Sequence, residues 1–239
     1  MHIALIGYGK MGKEIEAVAT RRGHSITCKI SSANKYDMNP KILQWADVAI
    51  EFSTPESAFE NVSACISSGL PVVSGTTGWA NKMPEVEKLC NEKKGAFLHA
   101  SNFSIGVNIF FEINKKLAQL MNKYQTYDIS IEEIHHTAKL DAPSGTAISL
   151  AQDVIKLLER KKVWSIHPVD PNGRSVFIES KRLDSVPGIH SVMYSSEIDD
   201  IEITHTAHSR AGFALGAVLA AEWLSDKQGI FHMKDVLDL

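Results

Sequence analysis

A short apolar run, His2–Ile6, leads straight into Gly7-Tyr8-Gly9-Lys10-Met11-Gly12, and a stretch with Met11, Ile15, Val18 and Ala19 on one helical face follows. Strand, Gly-x-Gly-x-x-Gly and helix in immediate succession constrain the chain to open as a βα unit. Its tight turn lets a pyrophosphate approach a helix N-terminus closely. The glycine spacing alone is weak evidence, because many turns contain it. Its placement between a strand and a helix makes dinucleotide binding the better reading, ahead of a purely structural turn.

Alternation continues from there. Residues 25–30, 48–52, 71–74 and 96–100 read as strands, separated by helical stretches at 55–65 and 84–94. Repeated βα units predict a parallel sheet, with ligands beyond the carboxyl ends of its strands. Phe-Ser-Thr-Pro at 52–55, Gly75-Thr76-Thr77-Gly78 and Ala100-Ser101-Asn102-Phe103 all fall there. A nicotinamide dinucleotide usually meets an acidic residue after the second strand, which holds the ribose 2′-hydroxyl. Here Ser31 and Ser32 occupy that place, with Lys29 and Lys35 nearby. Without a carboxylate to repel a 2′-phosphate, NADPH is expected to be at least tolerated, alongside or in preference to NADH.

After residue 106 a long apolar helix begins and the regular alternation stops. Residues 127–134, 176–180, 190–196 and 201–207 read as strands of a mixed or antiparallel sheet, in a second, α+β unit. Between the first of these strands and a helix that starts near Thr146 lies EEIHHTAKLDAPSGTA, residues 132–147. It sets His135, His136 and Lys139 beside a helix N-terminus that Asp141 or Ser144 can cap, a plausible anion site with its own acid–base groups. Read blandly, the same run is a capped helix next to two spare histidines and a solvated lysine. His205 and His208 in ITHTAHSR have no ligand spacing that recommends a metal site, and none is expected. The strongly apolar helix AGFALGAVLAAEWL and the tail FHMKDVLDL suit a return to the first unit, which would make the middle an insertion.

Composition narrows the partners. A formal charge of -3, with 44% apolar and 22% charged residues, describes an ordinary globular protein and argues against a nucleic-acid surface. Cys28, Cys65 and Cys90 are too scattered for metal or disulfide motifs and read as reduced, buried thiols. No apolar run approaches a membrane span, and the N-terminus lacks the pattern of a secretory signal, so a cytoplasmic protein is expected.

Taken together, GYGKMG, FSTP, GTTG, ASNFSIGVN, EIHHTAKLDAPSGTA, the VPGIH loop, ITHTAHSR and the closing DVLDL resemble the 4-hydroxy-tetrahydrodipicolinate (dihydrodipicolinate) reductase family along the whole chain. The resemblance implies a Rossmann-like dinucleotide-binding domain from residues 1–104 and 211–239, with an inserted α+β domain, 105–210, for substrate binding and tetramerisation. It implies reduction of a small cyclic dicarboxylate by NADPH or NADH in the diaminopimelate route to lysine. His135 would then be a proton donor or acceptor and Lys139 the catalytic proton donor. His136 would touch the substrate, and Gly145 and Thr146 would hold a carboxylate. Gly7 through Gly12, Gly75, Thr76 and Thr77, and Ala100 through Phe103 would line the cofactor site. The chain departs from the family in lacking an acidic residue near Ser31 and in a short segment between Ser31 and Val48. Rival readings are another two-domain NAD(P)-dependent reductase, or a non-catalytic sensor that binds NAD(P)H.

Overall fold

The structure is a computed structural model that describes residues 1–168, 170–209 and 211–239. Arg210, the end of ITHTAHSR, and Val169, in the loop expected at 168–173, lie outside the described residues. In chain order the elements are β1 (His2–Ile6), α1 (Lys10–Arg21), β2 (Ser25–Ile30), α2 (Pro40–Leu43), β3 (Val48–Glu51), α3 (Pro55–Ser67), β4 (Val72–Ser74), α4 (Met83–Lys93) and β5 (Ala96–His99). Then come α5 (Ile105–Met121), β6 (Asp128–His135), α6 (Gly145–Leu157), β7 (Val163–Ser165), β8 (Ser175–Arg182), β9 (Gly188–Ser195) and β10 (Asp200–Ala207). The chain closes with α7 (Ala211–Leu224), β11 (Gly229–Phe231) and α8 (Met233–Leu237).

Two compact units emerge, one from Met1–Ile105 with Ala211–Leu239, the other from Gly106–Arg210. The first holds a six-stranded sheet in the order β11-β5-β4-β3-β1-β2, with every recorded pairing parallel. All four residues of β3 are buried, as a strand covered on both faces requires. On one face, Ile15, Val18 and Ala19 of α1 and the small residues of α7 pack against Ile3, Leu5 and Ile50. On the other, Val62 and Ile66 of α3 and Val86 of α4 meet Ala4, Ile6 and Phe97. Glycine in α7 allows direct helix-to-backbone packing: a Cβ on Gly216 would stand 1.7 Å from the Phe103 carbonyl oxygen.

The second unit holds a five-stranded mixed sheet, β10-β9-β6-β8-β7, in which β6 pairs parallel with β8 and antiparallel with β9. Strand alternation divides its faces. Ile129 and Ile131 of β6, Val176 and Ile178 of β8, and Val192 and Tyr194 of β9 pack against Leu150, Ala151 and Val154 of α6 and Phe110 of α5. The α/β class stands as expected. The short β7, β11, α2 and α8 were not anticipated, and Cys28 is only half-buried where all three thiols were expected to be buried.

Candidate active site

In the first unit, the carboxyl ends of the central strands carry the predicted cofactor residues. Gly7 leaves β1 with a φ of +95°, and a Cβ there would stand 1.9 Å from the Phe52 carbonyl oxygen. Only glycine satisfies both conditions. Gly9 then caps α1 without a side chain of its own, and a Cβ at Gly9 would meet nothing within 4 Å. Open space thus faces the first amides of a twelve-residue helix, the setting a phosphate needs. Beside it lies a cavity of about 810 Å³ that brings together Gly7, Tyr8, Gly9, Ser31, Ser32 and Lys35 with the loop at Phe52–Thr54. These residues fit a dinucleotide.

Lys10, Met11 and Gly12 form the first turn of α1 and are not among the residues lining that cavity. Gly75, Thr76 and Thr77 follow β4, and Ala100 through Phe103 follow β5, farther along the same sheet edge. A residue that the sequence did not single out ties the loop after β3 to the end of β4 and the loop that follows it. Glu51, fully buried at the end of β3, accepts hydrogen bonds from the Ser53 amide (3.0 Å) and hydroxyl, from Thr76 Oγ1 (2.9 Å) and from Ser74 Oγ (2.6 Å). Phe52 and Phe103 pack with ring centroids 5.5 Å apart. At the other end, Lys29 is committed to Glu16 at 2.7 Å and lies over the Tyr8 ring. Of the two lysines expected near a 2′-phosphate, Lys35 lines the cavity and Lys29 does not.

The second unit carries the acid–base groups. Alternation along β6 buries Ile129, Ile131, Glu133 and His135 together. His136 follows the strand, half-buried, and a turn closed by the Lys139 amide on the His136 carbonyl (3.0 Å) brings Lys139 forward. Both carboxylate oxygens of Asp141 lie 2.8 Å from Lys139 Nζ, which holds that carboxyl below its usual range. The cap that the sequence left open falls to Ser144, whose hydroxyl accepts the Ala147 amide at 3.2 Å. Gly145 and Thr146 are therefore the first residues of α6, where backbone N–H groups have no helical partner.

Three residues around this run were not singled out from sequence. Glu133 Oε1 accepts from the Ser144 amide (3.1 Å) and from Arg182 Nη2 (3.2 Å). Arg182 also donates to the carbonyls of Asp141 (2.7 Å) and Lys139 (3.3 Å), which fixes the loop that carries the lysine. His190 Nε2 sits 3.1 Å from Ser144 Oγ, and its ring lies 5.0 Å from that of His135. Burial lowers the His135 pKa; Glu133 opposes that shift, while Lys139 and Arg182 add to it. Burial, reinforced by His135, takes His190 down to about 4. Both rings are thus neutral at neutral pH, and His135 can accept a proton there. Glu133, His135 and His190 also bring ligand-type atoms within 4.8 Å of one another. The cations Lys139 and Arg182 already bear on that cluster, so a metal ion would meet like charge, and we assign none.

Residues 1–103 match the family model for dihydrodipicolinate reductase, N-terminus, and residues 106–237 match that for dihydrodipicolinate reductase, C-terminus. The chain belongs to the dihydrodipicolinate reductase family. A 4-hydroxy-tetrahydrodipicolinate reductase from Christiangramia forsetii is 50% identical over 99% of this chain and 98% of its own length. One from Neisseria gonorrhoeae is 34% identical over 94% of this chain and 84% of its own. Among solved structures, the dipicolinate-bound dihydrodipicolinate reductase from Paenisporosarcina sp. TG-14 superposes with a TM-score of 0.75 at 22% identity, covering 97% of each chain. That last likeness concerns the fold. The C-terminal family region runs on through α7 to residue 237, whereas the spatial division returns Ala211–Leu239 to the first unit.

A signal for Glu133 was present in the sequence. It stands two residues before His135 on a strand, so both must project from one face. His190 and Arg182 offered no comparable signal, since β8 and β9 meet β6 only through the sheet.

Proposed function

We propose that His135 and Lys139 handle the proton in the reaction of this family, with His136, Gly145 and Thr146 binding the substrate. The chain is an NAD(P)H-dependent oxidoreductase that reduces 4-hydroxy-tetrahydrodipicolinate to tetrahydrodipicolinate, in the diaminopimelate route to lysine. The observation that carries the residue assignment is the buried pairing of His135 with Glu133 beside the Ser144-capped start of α6, with Lys139 presented by the next turn. A dicarboxylate suits amides at a helix N-terminus. Bound NAD(P)H supplies the hydride. Once the 4-hydroxyl has left as water, hydride addition to the resulting conjugated imine leaves an electron pair on the ring, which Lys139 stabilises by charge and can quench by protonation. His135, neutral and buried at the end of β6, exchanges the proton.

The first unit is the dinucleotide-binding domain in this reading, and Gly7 to Gly12, Gly75 to Thr77, Ala100 to Phe103 and Ser31 are its contacts. Ser31 donates its amide (2.7 Å) and hydroxyl (2.9 Å) to Asn34 Oδ1, and Ser32 and Lys35 line the same cavity, where a 2′-phosphate would meet a hydroxyl and an ammonium. With substrate generated enzymatically by the preceding synthase, NADPH oxidation is expected at a kcat/KM at least equal to that for NADH. Clear discrimination in favour of NADH would overturn the cofactor reading. No oxidation of either cofactor would overturn the activity, and would favour a sensor.

The second unit is both substrate domain and assembly domain. The face of its sheet turned away from α5 and α6 carries Ile134, Phe177, Ile189 and Met193, all half-buried or exposed. Apolar side chains left half-open on a sheet face are the kind of surface that a homo-oligomer covers. Sedimentation analysis is expected to give a homotetramer, and a monomer at micromolar concentration would contradict it. Among the described residues no helix is long and apolar enough to cross a membrane. Three free cysteines suit a reducing compartment, which supports placing the enzyme in the cytoplasm.

A further inference from the structure

Glu133 is fully buried, yet it carries a charge that a capping role alone would not require. Taking a carboxylate out of water costs several kcal/mol unless partners compensate. A glutamine could accept the Ser144 amide equally well, so the ionised form needs another reason. Burial works to raise the Glu133 pKa; the hydrogen bonds from Ser144 and Arg182 are among the contacts that more than offset it, and the group stays below the ordinary range. Its two oxygens face different tasks. Oε1 takes the Ser144 amide and the Arg182 guanidinium. Oε2 stands 2.8 Å from His135 Nδ1, an ion-pair distance, although neither atom has a partner in line for a conventional hydrogen bond.

We propose that Glu133 is a positioning residue: its Oε2 holds the His135 ring by Nδ1, and its Oε1 anchors the helix end that seats the substrate carboxylate. The inference rests on the assignment of His135 as a proton-handling group. A base oriented by a third group is the general logic of activated catalytic pairs. With Glu133 at Nδ1, the proton of the neutral ring sits on Nδ1, and Nε2 is left as the nitrogen that exchanges protons. When His135 takes a proton, the same carboxylate stabilises the imidazolium. The other groups facing the ring are Lys139 from the following loop, Arg182 from β8 and His190 from β9. None of these is an anion, so the task falls to Glu133. Because one carboxylate serves both the ring and Ser144, the acid–base group and the anion seat are held in a fixed relation.

The test begins with His135→Gln. If that variant keeps kcat within about twofold of the unmodified enzyme, the assignment of His135 falls, and this inference with it. With His135 established as essential, Glu133→Gln is expected to lower kcat by about 10- to 100-fold, the usual loss on removing an orienting partner. The KM for NADPH should not change, and the His135 limb of the kcat–pH profile should move to lower pH, because the anion that favours its protonation is gone. The double variant Glu133→Gln/His135→Gln should be no slower than His135→Gln alone, since Glu133 acts through that ring. An unmoved profile with unchanged kcat, or losses that multiply in the double variant, would overturn the proposal while leaving the role of His135 intact. Should Glu133→Gln fail to fold, long-range proton–nitrogen spectra of the ¹⁵N-histidine-labelled enzyme still decide. They are expected to show His135 as the Nδ1–H tautomer, and an Nε2–H tautomer would overturn the assignment.

Discussion

Replacing Lys139 by alanine is expected to lower kcat by about 10²- to 10⁴-fold, the range for loss of a positioned general acid. That corresponds to roughly 3 to 5 kcal/mol of barrier. Stability should hardly change. The Asp141 carboxylate that pairs with Lys139 has 62% of its side chain exposed, and water replaces the ammonium there at little cost. NADPH affinity should also hold, because the dinucleotide cavity is lined by residues of the first unit alone. Lys139→Arg sharpens the result. Arginine keeps the positive charge and the pull of Asp141, but it does not give up a proton near neutral pH. If Lys139 protonates the ring, the arginine variant stays close to the alanine variant in kcat; if Lys139 acts only by charge, arginine restores most of the rate. Steady-state turnover with a parallel NADPH fluorescence titration separates the cases. Near-normal kcat in the alanine variant would remove Lys139 from the reaction.

What could be read from the sequence follows the physics of each segment. β1, β3 and the start of β6 announce themselves because burial writes a continuous or alternating apolar pattern into the chain. β7 and β11 are three residues each, too short for any periodicity to accumulate, and they form because β8 and β5 already offer an open edge. Glu51 was hidden for a different reason. A carboxylate inside an apolar strand argues against burial until its partners are known, and those lie in two segments, Ser53 just after β3 and Ser74 and Thr76 at the end of β4 and beyond it. The cap at α6 was undecidable between Asp141 and Ser144, because either side chain can accept a first-turn amide. Lys139 settles the matter by engaging Asp141 locally, which leaves Ser144 to the helix. Lys29 shows the reverse limit. Its nearness in sequence to Ser31 suggested a phosphate contact, whereas Glu16, one helical face away on α1, claims it.

Stability of the second unit is expected to fall steeply in mild acid, and His190 is the main reason. It is 5% exposed, on the central part of a sheet, and burial depresses its pKa from an ordinary value of 6.5 to about 4. The unfolded chain therefore takes up a proton at a pH where the folded chain still refuses it. Stability from this group is complete above pH 6.5 and is lost as the pH falls from there toward about 4. Between pH 7 and pH 5 that amounts to about 2 kcal/mol for His190 alone. His135, also depressed chiefly by burial, and Glu133, whose pKa lies below the carboxylate range, act in the same direction as the pH drops further. The sign is fixed by the neutral state of the ring. Were His190 protonated and paired in the folded state, stability would instead rise on acidification. Denaturant unfolding at fixed protomer concentration, followed across this pH range, should show the loss, and His190→Gln should flatten it while lowering stability at pH 7. A His190→Gln variant with an unchanged pH slope would assign the acid sensitivity elsewhere and would mean that this ring titrates normally in the folded protein.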